Sequence, residues 1–275
     1  MELTILTDNN TIIDRYYLGE PGFSAYIREE NLKILFDLGY SGVFLQNAWK
    51  MGIFLEDLDY ICVSHGHADH TWGFDPLIRH YTEREQEKRP VSRPVILAHP
   101  DAFHSISGGG VSELGALIPG EKLDRLFTLA LSPEPRWLTP RLVFLGEIPR
   151  SHSFEGNTAL GERNGEADYV KDDTALAYRG TEGLVIITGC SHSGIGNIIE
   201  YAKKITGEER ILDVIGGFHL LNPGQDQLEG TCRYFAGQKV RQIHPCHCTD
   251  LASKIALSRV VRVEETGVSQ KLEYR

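Results

Sequence analysis

The segment VSHGHADHTWG, residues 63–73, constrains this chain more than any other. It completes the apolar run LDYICVS, which reads as a buried strand. His65, His67, Asp69 and His70 then fall within six positions, beside Gly66. Neutral imidazole and carboxylate are the donors that zinc and related divalent ions take. In an extended loop His65 and His67 point the same way and can chelate one ion. Asp69 and His70 follow where the chain turns into a helix, so they can face a second ion. The alternative is a solvated loop that happens to hold three of the 11 histidines in the chain, and the tight spacing argues against it.

Such a loop needs a sheet edge to carry it, and the rest of the chain supplies strands in both halves. ELTILTDN, GFSAYIRE and KILFDLG read as a meander turning at Glu29, Glu30 and Asn31, and SGVFLQNAWKMGI reads as a helix ending at Gly52. RPVILAH and RLVFLGEI are strands, and TEREQEKRP is a solvated helix end or loop. From about 105 to 140 the chain is rich in Gly and Pro, which predicts an irregular excursion with a short helix at EKLDRLFTL. TALAYR and GLVIITG predict a hairpin closing on Gly183, followed by an amphipathic helix, GIGNIIEYAKKITG. ILDVIGG, KVRQIHPC and VVRVEETG are further strand-like runs. Strands with helices between them in both halves predict a layered α/β sandwich, one domain over residues 1–275.

Composition removes several classes. With 28 basic and 38 acidic residues the net charge is −10, and no basic run stands out, so nucleic acid is not expected as a partner. The start MELTILTDNN lacks a signal peptide's basic and apolar regions, and no apolar run is long enough to span a membrane. A cytoplasmic protein acting on a small molecule is expected. Five cysteines, Cys62, Cys190, Cys232, Cys246 and Cys248, argue against a disulfide framework. Cys62 reads as strand packing, and Cys246 and Cys248 have the wrong spacing for a Cys-x-x-Cys redox motif. ITGCSHSGIGN, residues 187–197, matches neither Gly-x-Ser-x-Gly nor a P-loop, so its Cys190 and His192 take their meaning from the histidine cluster.

His-x-His-x-Asp-His after an apolar strand resembles the signature of the metallo-β-lactamase superfamily. FDLG, with Asp37, resembles the strand-end Asp-x-Gly that supports the metal loop there. TDNN, GFSAYI, LFDLG, NAWKMGI, SHGHADHTWGF, AHPDAF, TGCSHSGIGN, IGGFHL and HCTD follow the order of one subgroup, labelled 7,8-dihydropterin-6-methyl-4-(β-D-ribofuranosyl)aminobenzene-5′-phosphate synthase-like. The resemblance runs from about Leu6 to Asp250. It implies a four-layer αββα sandwich with metal at its top edge, two divalent ions, zinc first, with iron or manganese as alternatives. It implies hydrolysis of a small ester or phosphodiester by a metal-bound hydroxide, in which Asp69 orients the nucleophile.

The superfamily pattern also calls for a His, a bridging Asp and a final His at three later strand ends. His247 stands where the final His belongs, with His244 as its competitor and Cys246 and Cys248 as packing around it. No Gly-Asp ends a strand; GLVIITG ends in Cys190, and His192 supplies the missing imidazole, since His152 lies early and Tyr169 is only nearer the usual spacing. The implied arrangement is His65, His67 and His192 on one ion, with Asp69, His70 and His247 on the other. Cys190 is then an additional thiolate ligand or a neighbour of the ligands; as a ligand it favours zinc or iron. The resemblance makes His219 a candidate for substrate binding or proton transfer. His80, His99, His104 and His152 read as ordinary loop or surface residues, and Asp172 and Asp173 as a solvated acidic loop. The glycine-led start of GIGNIIEYAKKI suggests a seat for an anion such as phosphate. Other readings are the diphosphate-displacing synthase of the subgroup label, a redox protein, which would call for a flavin domain and more carboxylate ligands, and a non-catalytic metal-binding protein.

Overall fold

The computed structural model describes residues 1–275. β1 (Glu2–Thr7), β2 (Ser24–Glu29) and β3 (Leu32–Phe36) form an antiparallel meander. β4 (Tyr60–Cys62), β5 (Val95–Ala98) and β6 (Thr128–Leu131) continue the sheet in parallel. Parallel neighbours need crossovers. These are α1 (Val43–Lys50), then α2 (Ala68–Thr71) with α3 (Phe74–Gln86), then α4 (Gly120–Leu126). Within the stretch read as irregular, 105–140, the expected short helix forms as α4, and the chain also adds the edge strand β6 and a two-residue strand at 136–137.

The second sheet begins with β7 (Arg136–Trp137) and β8 (Leu142–Phe144), before a small ribbon of β9 (Glu162–Arg163) and β10 (Glu166–Ala167). β11 (Ala175–Gly180) and β12 (Gly183–Thr188) make the expected hairpin. β13 (Ile211–Gly217) and β14 (Val240–Cys246) lie parallel to β12, joined through α5 (Ile195–Thr206) and α6 (Gln225–Gly237). After α7 (Leu251–Leu257) the chain returns to the first sheet as β15 (Lys271–Glu273), paired with β1. The two orders are β15-β1-β2-β3-β4-β5-β6 and β14-β13-β12-β11-β8-β7.

Three apolar clusters stack through the molecule. Ile5, Ile27 and Phe36 of the first sheet meet Phe144, Tyr178 and Ile187 of the second. Phe44, Leu77 and Leu123 seat α1, α3 and α4 on the outer face of the first sheet. Ile198, Phe235 and Leu257 seat α5, α6 and α7 on the outer face of the second. The result is four layers, helix–sheet–sheet–helix. β12 and β13 are buried at every residue, as parallel strands covered on both faces must be.

VVRVEETG does not form the expected strand. Its alternation is real, but the ladder is one bridge long, Val263 against Ile243 at the edge of β14. No helix is long and apolar enough to cross a membrane.

Candidate metal centre

β3, β4, β12, β13 and β14 all deliver residues to one edge of the sandwich. β3 ends in Asp37, β4 in Ser64 and His65, and β12 in Cys190, Ser191 and His192; His219 follows β13, and His247 and Cys248 follow β14. Four of these residues hold left-handed backbone conformations that non-glycine residues rarely adopt: Asp37 (φ 55°), Ser191 (59°), His219 (52°) and His247 (48°). Strain of this kind, about 1–3 kcal/mol per residue, persists where the surrounding contacts over-determine it.

The first cluster is three imidazoles. His65 Nε2 lies 3.1 Å from His67 Nδ1 and 3.1 Å from His192 Nε2. Zn–N bonds of about 2.0–2.1 Å at tetrahedral angles would put nitrogens roughly 3.3–3.4 Å apart. Ser64 Oγ donates to Asp37 Oδ2 at 2.7 Å, so at 2.8 Å it accepts from His65 Nδ1–H. A lone pair is thereby left on His65 Nε2, facing the other two rings.

Asp69, His70 and His247 form the second cluster. His70 Nε2 is 3.2 Å from His247 Nε2, and Asp69 reaches His247 Nε2 at 3.2 Å and His70 Nε2 at 3.8 Å. His70 Nδ1 donates to Asp37 Oδ2 at 2.7 Å, and His247 Nδ1 donates to Asn9 Oδ1 at 3.0 Å. Both outward nitrogens are engaged as donors, so His70 Nε2 faces inward with a lone pair, and His247 Nε2 offers one once the proton it shares with Asp69 gives way to an ion.

Electrostatics fits cation binding. Burial, then the neighbouring His70 and His67, hold His65 well below the usual imidazole range. Burial, then His65 and His67, do the same to His192, and burial lowers His67. Converging buried nitrogens need protons or an ion between them, and desolvation disfavours protons. Burial opposes the ionisation of Asp69, yet His70 and the hydrogen bond from His247 hold its carboxyl well below the ordinary carboxylate value. In the chain without an ion, burial works against His247, but Cys248 and Asp69 raise it to about 9. The donor set, three neutral imidazoles converging in one cluster and two imidazoles with a carboxylate in the other, suits a divalent ion of the zinc type.

Several supporting residues escaped the sequence reading. Asp8 Oδ1 accepts the His247 backbone N–H at 2.7 Å. Asp172 Oδ2 accepts the Gly66 N–H at 2.7 Å, where a side chain at 66 would collide with the Ala102 carbonyl. Arg163 bridges Asp172, Asp168 and Asp101. Asp173 accepts the Ser193 N–H at 2.9 Å, and burial raises its carboxyl to about 6 against those hydrogen bonds. Asp172 and Asp173 are therefore buried anchors of the loops that carry Gly66 and Ser193, not a solvated acidic loop. His99 is buried too, its Nδ1 accepting the Asp101 N–H at 3.1 Å.

Other expectations sort as follows. His244 lies away from the cluster, bound through Nδ1 to Asp213 Oδ1 at 2.9 Å. His152 packs against Phe154 and Tyr234, and Tyr169 is 44% exposed. Cys246 packs in the core between the sheets, but Cys248 does not: its Sγ is 3.1 Å from Cys190 Sγ. The His219 ring stands edge-on to His192, centroids 4.5 Å apart. His192, His219 and His247 end the three adjacent strands β12, β13 and β14. Cys190 and His192 share the end of β12, and His219 stands at the end of β13, between them and His247 at the end of β14. The start of α5 is no anion seat, because Glu155 fills it, accepting the Asn197 N–H at 2.9 Å and the Gly196 N–H at 3.3 Å.

Comparison with known proteins agrees with this architecture. Residues 18–125 match the family model described as the metallo-beta-lactamase superfamily. An uncharacterized protein of Methanocaldococcus jannaschii is 32% identical, covering 94% of each chain. A second protein of that organism, named 7,8-dihydropterin-6-methyl-4-(beta-D-ribofuranosyl)-aminobenzene-5'-phosphate synthase, is 30% identical over 85% of this chain and 82% of its own. A crystal structure described as a metal-dependent hydrolase of the beta-lactamase superfamily superposes with a TM-score of 0.80 at 31% identity, covering 99% of this chain and 98% of the other. With four layers, a histidine-rich strand-end edge and relatives over nearly its whole length, the chain belongs to the metallo-beta-lactamase superfamily.

Proposed function

We propose that the chain is a metal-dependent hydrolase of a small ester or phosphodiester, acting through two divalent ions, zinc first, with iron or manganese as alternatives. His65, His67 and His192 hold one ion, and Asp69, His70 and His247 hold the other. The observation that carries the reading is the pair of converging nitrogen sets, 3.1 Å apart in the first and 3.2 Å apart in the second. When bound, such ions supply Lewis acidity and bring the pKa of water toward about 7.

The protein's own groups do the rest. Asp37 and Ser64 fix the tautomers of His70 and His65, so that lone pairs and not N–H groups face inward. Asp69 keeps a partly exposed carboxylate at the mouth, placed to orient an attacking water. His219, beside His192 and partly exposed, is the proton donor to the leaving group. A phosphorylated substrate loses the argument that pointed to it, since Glu155 occupies the start of α5. Five free cysteines suit a reducing, cytoplasmic setting, with a small molecule as the partner.

Metal-replete protein assayed against ester, phosphodiester and lactam panels is expected to turn over one class and to lose that turnover on chelation. Fully loaded protein inert to all three would overturn the reading. The name of the 30% identical relative supports a second one, a transferase that displaces diphosphate in joining a dihydropterin to a ribofuranosylaminobenzene phosphate. Diphosphate release on incubation with those two substrates would establish it, and no release would remove it.

A further inference from the structure

One sulfur is common to both halves of the centre. Cys190 Sγ and the ligand nitrogens of His65 and His192 lie within 4.8 Å of one another, and the same holds for Cys190 Sγ with those of His70 and His247. Cys62 and Cys246 belong to the core between the sheets; Cys190 belongs to none of the three apolar clusters, although only 5% of it is exposed. Its position is held from one side. Cys248 Sγ lies 3.1 Å away and accepts the His219 N–H at 3.3 Å. Gly217 makes room for that second sulfur, since a Cβ there would stand 2.5 Å from it.

No carboxylate competes for the place between the clusters from the ends of β12, β13 and β14. The single acidic residue close behind these three strand ends, Asp250, caps α7 by accepting the Ser253 N–H at 2.7 Å, and also takes the Asn222 N–H at 2.7 Å. An anionic donor between two cations offsets their mutual repulsion.

We propose that Cys190 is that donor: its thiolate bridges the two ions, and Cys248 positions it through the sulfur–sulfur contact. The inference rests on the two-ion reading above. On loading, the Cys190 S–H bond breaks, its proton goes to solvent, and two metal–sulfur bonds form without change of oxidation state. Bound this way, the ions would share one donor at the zinc–sulfur distance of about 2.3 Å. A soft bridge also biases the centre toward zinc, iron or cobalt over magnesium.

The test is stepwise cobalt(II) titration of the metal-free full chain, without air, following sulfur-to-cobalt charge-transfer absorption in the near ultraviolet. Two equivalents are expected to bind, with the band growing through both, because both ions share the sulfur. Cys190→Ser should abolish the band and weaken cobalt binding by about tenfold or more, while Cys248→Ser keeps the band. A band that stops growing after one equivalent, or that survives in Cys190→Ser, overturns the bridge. Two equivalents bound with no such band also overturn it, and leave the two-ion reading standing. Absence of cobalt binding removes both. The per-equivalent band in the unmodified chain decides the matter even if a variant fails to fold.

Discussion

Asp37 Oδ2 lies 2.7 Å from His70 Nδ1, with both side chains fully buried, and the same oxygen receives Ser64 Oγ at 2.7 Å. Because Ser64 in turn orients His65, one carboxylate sets the tautomer of a histidine in each cluster. All its contacts are hydrogens donated to it, including the Ser64 N–H at 2.7 Å on Oδ1.

Asp37→Asn therefore reverses the polarity of both contacts on Oδ2 while keeping the shape. With its carbonyl on the Ser64 N–H, the amide NH2 faces His70 Nδ1 and Ser64 Oγ, which must then both accept. The His70 hydrogen moves to Nε2, where a lone pair is needed. Metal affinity at the His70 position should fall by about 10–100-fold, the usual cost of losing such a partner, and the His65 position should weaken with it because Ser64 then donates to His65 Nδ1. Ser64→Ala should instead weaken the His65 position. Chelator competition followed ion by ion checks both, and equal loss at both positions in Ser64→Ala would refute the division.

Asn9 supports only one cluster. Its Oδ1 takes the His247 Nδ1–H, and nothing links it to His65, His67 or His192. Asn9→Ala should lower affinity for the ion at Asp69, His70 and His247 by about tenfold and spare the other. Metal content per chain, measured after dialysis against a graded chelator series, should drop from two toward one; simultaneous loss of both ions would count against separate sites.

How much of this was legible in the sequence follows from how far apart the partners lie. His65, His67, Asp69 and His70 are neighbours in the chain, so a strand followed by a helical turn was enough to bring them together. Asn9 and His247 are 238 positions apart, and a hydrogen-bonding partner leaves no periodicity to read. The glycines before α5 read as an open anion seat because the residue that fills it, Glu155, lies some 40 positions earlier. Asp172 and Asp173 read as solvated because acidic side chains usually are, yet matched donors from Gly66, Arg163 and Ser193 bury them. That β12, β13 and β14 are neighbours, so that Cys190, His192, His219 and His247 meet at one edge, comes from the fold.

Glu155 gives a pH-dependent prediction. Burial raises its carboxyl from 4.5 to about 7, against the backbone N–H groups of Asn197 and Gly196 that favour the charged form. Between those values the folded chain holds a proton that the unfolded chain has released. Stability must then fall as pH rises from about 4.5 to 7, and this contribution levels off above that. Glu155→Gln keeps an acceptor for the α5 N–H groups and cannot titrate. The stability of the wild type relative to Glu155→Gln should decline by up to about 3 kcal/mol between pH 4.5 and 8. Other titrating groups, Asp173 among them, are common to both proteins and cancel in the difference. Urea unfolding curves that stay parallel across this range would dispose of the effect.

Arg163 is the last case, and it separates charge from geometry. Its guanidinium reaches Asp101 at 3.1 Å, Asp168 at 3.1 Å and Asp172 at 3.0 Å, and Asp172 carries the Gly66 N–H on its other oxygen. Asp172 is fully buried and Asp168 is 6% exposed, so neither can turn to water if the cation goes. Arg163→Met fills similar space and leaves two buried carboxylates uncompensated, which should cost about 3–5 kcal/mol in denaturant unfolding. Arg163→Lys restores the charge, but one ammonium cannot reproduce a planar fork bonded to three carboxylates. It should recover part of the stability and still release the Gly66 loop, seen as faster amide exchange at Gly66 in metal-free protein. Full recovery of both by lysine would mean that charge alone holds the loop. A loss below about 1 kcal/mol in Arg163→Met would mean that the carboxylates tolerate its absence by taking up protons.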